Sequence, residues 1–534
     1  MGVDITKIQE NVPLSKSLLW ELRNSAYQSS TFEDLLQIPH GPTSALNYVE
    51  SVAELSLAFI RNGLANGDFA PNEPVYILET GSGTSVFALR FIRYFKSILK
   101  LVGLTGHIKF CYICTDGSQK FIDSISVKPD FKEYADAGEV DFGHIDLGNI
   151  FPMKLKNSGF NFGATSIDNP IIVISNYFFD CIPYDVFNIK NNKVFEVHES
   201  LYTPNDNYSD GCVKDIPKLV PRFEDLPVSF PHFNHPVLEK ILEQYAEEYV
   251  NLTISLSLKS IEIIETIRDY SNGKMLHVSS DISSLWTEKG PSCTTFLPVM
   301  EKISWAPVNL NAFQRFADLT HAFSYNIQTA CINPYNNFET LVLLHGADIK
   351  AYPDVRYQLH KMKITSYHSA VSLREWLGSN YENLNPDVFL TTLDIVRSDI
   401  ILIGDNILLK LQDFISKNEE FRSQYNSNRV INILEDIYKN TPGYYPGADW
   451  IRFMIGNIAT FLHEYHHSLR YYNDCNTENL RSEKNQWVFH YNKGIAFMNL
   501  GEYEKSLDAF NEAHTINPND LKTLDRIVYV GQLL

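Results

Sequence analysis

Apolar and polar residues in the first third of the chain alternate between two rhythms. From about residue 46, Val49, Val52, Leu55, Phe59 and Ile60 recur at helical spacing, and Asn72-Glu-Pro breaks the pattern before the short apolar run Val75-Tyr-Ile-Leu78. A run of that length bounded by turn residues predicts a buried strand. Glu79-Thr-Gly-Ser-Gly-Thr-Ser85 follows, and then Val86, Phe87, Leu89, Phe91, Ile92 and Phe95 mark a mostly apolar helix reaching about Lys100. Strand, glycine turn and helix succeed one another as in a parallel α/β unit. Further apolar runs at Ile108–Cys114, Glu139–Ile145 and Pro170–Ser175 predict three more strands, and so a Rossmann-like, mostly parallel sheet.

These four strands lead to Glu79, Asp116, Asp146 and Asn176. In an open parallel sheet the carboxyl ends of the strands lie along one crevice, where ligands bind. Gly81 and Gly83, with Ser82 between them, suit a backbone that turns tightly and approaches a ligand, while the next helix presents free N–H groups at its start. A dinucleotide fingerprint would carry a third glycine where Val86 stands. The step from Gly83 to Asp116 (116 − 83 = 33) also exceeds the roughly 20 residues of that pattern. An acid followed by GxG is instead the arrangement by which adenosylmethionine proteins hold the methionine end of the cofactor. On this reading Glu79, Gly81, Ser82 and Gly83 hold that end, with Asn176 nearby. Asp116 accepts both ribose hydroxyls, and Asp146 accepts the adenine amino group. Glycine pairs also occur in plain turns, and each of these residues singly could be loop surface.

Three stretches carry a resemblance to a known family: Ile77-Leu-Glu-Thr-Gly-Ser-Gly83, Ser175-Asn-Tyr-Phe-Phe-Asp-Cys-Ile-Pro183 and, more loosely, Gly273-Lys-Met-Leu-His-Val-Ser-Ser-Asp281. Over roughly residues 45–345 the chain resembles the MidA-type S-adenosylmethionine-dependent methyltransferases, whose mitochondrial members methylate arginine in a respiratory-complex subunit. The resemblance implies a class I methyltransferase fold, S-adenosylmethionine as cofactor and a protein side chain as acceptor, an arginine nitrogen first. That family typically has Asn-Glu-Phe-Phe-Asp-Ala-Leu-Pro in the middle stretch. This chain keeps Asn176, Phe178, Phe179, Asp180 and Pro183 but has Tyr177 in place of the glutamate. Methyl transfer is an in-line displacement that needs an aligned nucleophile, and a guanidinium also needs carboxylates to orient it and take a proton. Asp180 is then the remaining carboxylate, with Asn176 and Tyr177 able to position a nitrogen or hydroxyl. The departure at Tyr177 opens a second reading, a non-catalytic adenosylmethionine-binding scaffold. By analogy, residues from about 200 to 272, with an amphipathic helix around Pro236 to Tyr249, form a cap inserted over the crevice.

Beyond about residue 350 the alternation disappears, and helical spacing dominates Phe389–Ile415 and Val430–Tyr438. The division predicted is an α/β domain at 1–345 and an all-α domain at 346–534. Trp487 to Asp520 resembles a tetratricopeptide repeat, with Gly494, Gly501, Tyr503, Phe510 and Pro518 at its small, aromatic and terminating positions. Gly456, Tyr465 and Tyr472 precede Gly494, Tyr503 and Phe510 by a constant offset (494 − 456 = 38), which predicts a second copy at about 449–482. Such helix pairs stack into grooves for peptide segments, so a protein partner is expected, with plain packing onto the α/β domain as the alternative. His463-Glu-Tyr-His-His467 matches HExxH, the zinc peptidase signature. The internal repeat aligns His463 with the turn at Gly501, so the two histidines need not share a helix, and no metal is expected.

Composition narrows the partners. A formal net charge of −19 would repel a phosphate backbone, and no Lys/Arg cluster interleaved with aromatics offsets it, so nucleic acid is not an expected partner. Seven cysteines, an odd number scattered singly, argue against a disulfide framework and for a reducing, cytoplasmic setting. Cys111-Tyr-Ile-Cys114 has CxxC spacing but lies within a predicted strand. No run of about 18 apolar residues occurs, so membrane insertion is not expected.

Overall fold

The computed structural model describes residues 5–534 apart from 33, 35–40, 71, 210–211, 214–217, 285–306, 332–335, 365–375, 378, 382–383, 396–398, 400–405, 418–423 and 481. The chain forms two compact units, one of residues 1–43 and 48–366, the other of residues 44–47 and 367–534.

The first unit is built on a seven-stranded sheet. Its strands are β1 (Val75–Thr80), β2 (Phe110–Asp116), β3 (Val140–His144), β4 (Ile171–Asn176), β5 (Met275–Ser284), β6 (Phe323–Cys331) and β7 (Asn336–His345). They lie in the order β3-β2-β1-β4-β5-β7-β6. β1 to β5 are parallel, while β7 runs antiparallel to β5 and pairs with β6 as a hairpin. This is the mostly parallel, Rossmann-like sheet expected from the sequence. Ile171 to Ile174 and Ile77 to Leu78 are buried without alternation, as strands covered on both faces must be. The helix Val86–Leu101 contributes Val86, Phe87, Leu89, Phe91, Ile92 and Phe95 to the interior. The helix Leu258–Tyr270, which leads into β5, contributes Ile261, Ile263, Ile264 and Ile267 to the same cluster as Leu78, Val173 and Met275.

Strand order reverses between β1 and β4, since β2 and β3 lie on one side of β1 and β4 and β5 on the other. Such a switch point splays the loops that follow the two strands and leaves a crevice at their carboxyl ends.

A second, antiparallel sheet accompanies the first. Its strands Ile5–Pro13, Lys193–Pro204, Asp185–Lys190 and Asn251–Leu256 lie side by side in that order, and Val220–Pro227 pairs with Lys193–Pro204. Part of the segment from 200 to 272, for which the sequence pattern marked only one helix, is therefore strand. The expected helix is present as Pro236–Glu248.

The second unit is helical among its described residues. Its last five helices are Ala448–Phe461, Tyr465–Asn473, Glu483–Asn499, Tyr503–Ile516 and Leu521–Gly531. The turns within the first two pairs share one hydrogen-bond pattern. Glu464 N–H donates to the Ala459 carbonyl at 2.9 Å, and Glu502 N–H donates to the Phe497 carbonyl at 3.0 Å. The left-handed residue in each is His463 (φ 64°) or Gly501 (φ 76°). Gly456 and Gly494 let the helices of each pair approach. A Cβ on Gly456 would lie 2.4 Å from the Tyr472 ring, and one on Gly494 would lie 2.8 Å from the Phe510 ring.

Gly456→Ala should therefore destabilise the helical unit. Overpacking of a fixed core costs about 1–3 kcal/mol, which exceeds the roughly 1 kcal/mol that alanine gains over glycine within a helix. Urea unfolding would show a lowered midpoint, and an unchanged or raised midpoint would mean that the Tyr472 ring moves aside freely.

Candidate functional site

The loop after β1 is a left-handed turn. Gly81 and Gly83 have φ of 70° and 51°, and Ser85, which precedes the helix Val86–Leu101, has φ of 55°. Gly81 meets two demands at once, because a side chain there would be strained by the positive φ and its Cβ would stand 3.2 Å from the Phe178 ring. The two sequence stretches that carried the resemblance therefore close on one another. Ser82 N–H donates to the Thr115 carbonyl at 2.6 Å and the Thr115 hydroxyl to the Glu79 carbonyl at 2.7 Å, which tie the turn to the end of β2.

Asp116, the last residue of β2, is only 2% exposed. Its Oδ2 accepts the Gly83 N–H at 3.2 Å and its Oδ1 the Ser118 N–H at 2.8 Å. The Tyr27 hydroxyl, from the N-terminal helix Leu18–Ser29, stands 3.0 Å from both oxygens. Burial pushes the carboxyl up to about 6 even against these three donors. Glu79, also 2% exposed, is pushed by burial to about 8, with the Asp116 charge adding to the shift. The Tyr112 hydroxyl faces this carboxyl and offsets the shift in part, while Oε2 makes no well-formed hydrogen bond among the described residues.

Across the switch point, the Thr80 hydroxyl donates to Ser175 Oγ at 2.8 Å, joining β1 to β4. Asn176 follows. Its Oδ1 accepts the Tyr48 hydroxyl at 2.8 Å, while its Nδ2 is buried with no partner among the described residues. Tyr48 also bonds the Ser280 hydroxyl. Tyr177 adopts φ of 50°, unusual for a non-glycine residue, and packs its ring on Phe338 with centroids 5.6 Å apart. Asp180 is 5% exposed, and burial pushes it to about 6 while the Arg23 guanidinium pulls it down. Asp281, in β5 next to the Ser280 that pairs with Asn176, is fully buried and accepts the Asp180 N–H at 3.2 Å. Burial and the neighbouring Asp180 charge raise its pKa well above the carboxylate range.

The structure thus gathers Glu79, Gly81, Ser82, Gly83 and Asp116 into one bonded turn and places Asn176, Tyr177 and Asp180 on the adjoining strand end. Asp146 differs from them: it is exposed, and its Oδ1 caps the Gly148 N–H at 2.9 Å. Sequence reasoning missed Tyr27, Tyr48 and Asp281. Only Asp281, at the end of a quoted motif, carried any local signal. Elsewhere, His463 lies in the turn before the helix that carries His467, with its Nδ1 2.8 Å from the Tyr465 hydroxyl. No cluster of His, Cys, Asp or Glu suited to a metal occurs among the described residues. No helix there is long and apolar enough to cross a membrane.

The raised carboxyls predict how stability depends on pH. A carboxyl whose folded pKa lies above its unfolded value binds more protons folded than unfolded, so its contribution is full below the unfolded value and is lost as pH rises through the folded one. For Glu79 that window runs from 4.5 to about 8. Glu79→Gln should flatten the fall of the urea midpoint across this window, and a slope equal to wild type would mean that Glu79 is already ionised there.

The tetratricopeptide repeat family matches residues 487–520. No curated protein sequence matches the chain. Two solved structures from Burkholderia thailandensis show a low similarity to the chain. One, a COG1565 superfamily member inferred to be a methyltransferase and bound to S-adenosylhomocysteine, is 11% identical, with 74% of this chain and 84% of its own covered, at a TM-score of 0.37. The other, the native structure of an uncharacterized COG1565 superfamily protein, has the same identity and coverage at a TM-score of 0.31. These likenesses are low, and the fold assignment rests on the strand order of the sheet.

Proposed function

We propose that the first unit binds S-adenosylmethionine in the crevice between β1 and β4 and directs its methyl group to a nitrogen of a protein side chain, arginine being the first candidate. One observation carries this reading. Asn176 Nδ2, a donor, is buried without a partner among the described residues at the end of β4, and on the neighbouring strand the buried Glu79 carboxyl, faced by the Tyr112 hydroxyl, leaves Oε2 without a well-formed hydrogen bond there. Buried polar atoms left unsatisfied are costly and uncommon, so they point to a missing ligand. The ammonium and carboxylate of an amino acid are the complementary pair. The left-handed turn at Gly81–Gly83 lets backbone approach such a ligand, and Asp116 offers both oxygens to a vicinal diol.

When bound, the cofactor supplies an electrophilic methyl carbon on a sulfonium. The chain's part is to exclude water and hold the acceptor. Asp180, with a carboxyl raised to about 6, is a stronger base than an ordinary carboxylate and takes the proton that an attacking guanidinium nitrogen must release. Asn176 orients the acceptor beside it. The helical pairs at about 449–482 and 487–520 then serve to receive a protein segment. A second reading, binding without transfer, draws on Tyr177, whose ring packs on Phe338 where related enzymes carry a glutamate.

Calorimetric titration with adenosylhomocysteine tests the binding. Wild type should bind, and Asp116→Asn should weaken binding tenfold or more, since a hydrogen bond to a charged group contributes about 1.5–3 kcal/mol. No heat with wild type would sink the proposal. Transfer of tritiated methyl groups to basic proteins separates the two readings: label that depends on Asp180 supports a transferase, and tight binding without label supports the scaffold.

A further inference from the structure

The N-terminal helix Leu18–Ser29 is anchored at its first turn. Trp20 is buried, donates its Nε1–H to the Leu14 carbonyl at 2.9 Å and meets the Tyr184 ring edge-on at 5.5 Å. From there the helix reaches the strand ends. Arg23 Nη1 lies 3.4 Å from the Asp180 carbonyl oxygen. One turn later Tyr27 reaches Asp116, its ring set edge-on against Phe121 at 5.3 Å. Gln28 Nε2 donates to the Gly117 carbonyl at 2.7 Å, and Lys120 Nζ donates back to the Ser30 carbonyl at 3.0 Å.

The geometry at Asp116 decides what Tyr27 does. Of the positions its two oxygens offer, one on each is taken by a backbone N–H, from Gly83 and Ser118. The bidentate position across both oxygens is taken by the Tyr27 hydroxyl. That is where a ribose diol would bind. A phenol has one proton to share between two acceptors, whereas a diol brings two donors. Burial and the Asp116 charge both keep the phenol protonated, so the exchange does not depend on ionisation of Tyr27 at neutral pH.

We infer that Tyr27 is a residue of the cofactor site: it holds the ribose position on Asp116 and is displaced by the ribose, so that cofactor binding lifts the end of the N-terminal helix. The inference rests on the adenosylmethionine reading above. Lifting that end breaks the Gln28 and Lys120 contacts, both at exposed residues, while the Trp20 anchor stays. Because Arg23 rides on the same helix, the movement also frees the backbone beside Asp180, which orders the events as cofactor first and acceptor second.

Titration of adenosylhomocysteine into wild type and Tyr27→Phe tests this. Phenylalanine keeps the ring contact with Phe121 and removes only the competing hydroxyl, so affinity should rise about tenfold, as expected when one charge-assisted bond no longer has to be broken. Hydrogen exchange on wild type should show the amides of the last helical turn, Gln28 and Ser29 among them, losing protection when ligand binds. Equal or weaker binding by Tyr27→Phe, or increased protection of that turn, would overturn the inference while leaving cofactor binding intact. Absence of binding by both proteins would instead remove the reading on which it depends.

Discussion

One buried carboxylate organises the strand ends. Asp116 holds the Gly83 N–H, the Ser118 N–H and the Tyr27 hydroxyl at once, so the glycine turn after β1, the loop after β2 and the N-terminal helix share a single acceptor. A carboxylate buried in this way is stable only while its lone pairs are satisfied, because an ionised group out of water has no other compensation. Its raised pKa of about 6 shows that the three donors offset burial only in part. The same requirement explains the left-handed backbone at Gly83, which turns its N–H toward the carboxylate. On the other flank, Gly81 must stay small because Phe178 packs over it. Turn and aromatic belong to different sequence motifs 97 residues apart (178 − 81 = 97), and each fixes the conformation of the other.

What was legible in the sequence follows from how each element is buried. β1, β2 and β4 lie inside a parallel sheet covered on both faces, so they appear as unbroken apolar runs, and the acid or amide at each end stands out. The second sheet leaves a different trace. Lys193–Pro204 buries alternate residues, Val197, Leu201 and Thr203 among them, in a segment whose polar members make it resemble loop. Tyr27 and Tyr48 escaped for another reason. Both act through hydroxyls that reach partners 89 and 128 residues away, and no local spacing encodes such a contact. Asp146 illustrates the converse: it follows a strand as its neighbours do, yet its side chain is exposed and caps its own turn.

In the helical unit, the constant offset between glycines and aromatics was readable because both serve one physical purpose. A ring on the second helix of each pair lies against a glycine on the first, and no other residue allows that approach without displacement of the ring. The turn between the helices was less strictly encoded. Gly501 adopts its left-handed conformation freely, whereas His463 does so at a cost. The histidine's place in an HExxH pattern therefore reflects a turn position in a repeat, and the conformation that ends one helix there separates its ring from the face on which His467 lies.

Charge gives the crevice its chemical character. Glu79, Asp116, Asp180 and Asp281 are all nearly or fully buried near the ends of three adjacent strands and their neighbour β2. Buried carboxyls repel one another when ionised, and all four have raised pKa values in consequence of burial, with Asp180 and Asp281 directly opposed. Folding therefore tolerates this arrangement at the expense of stability, a pattern typical of functional sites rather than of structural cores. A cation entering the crevice would reverse the balance by favouring the ionised forms. An ammonium, a sulfonium and a guanidinium are all cations, so a cofactor and acceptor of the proposed kind would each favour ionisation of these acids, and binding them would be coupled to loss of protons.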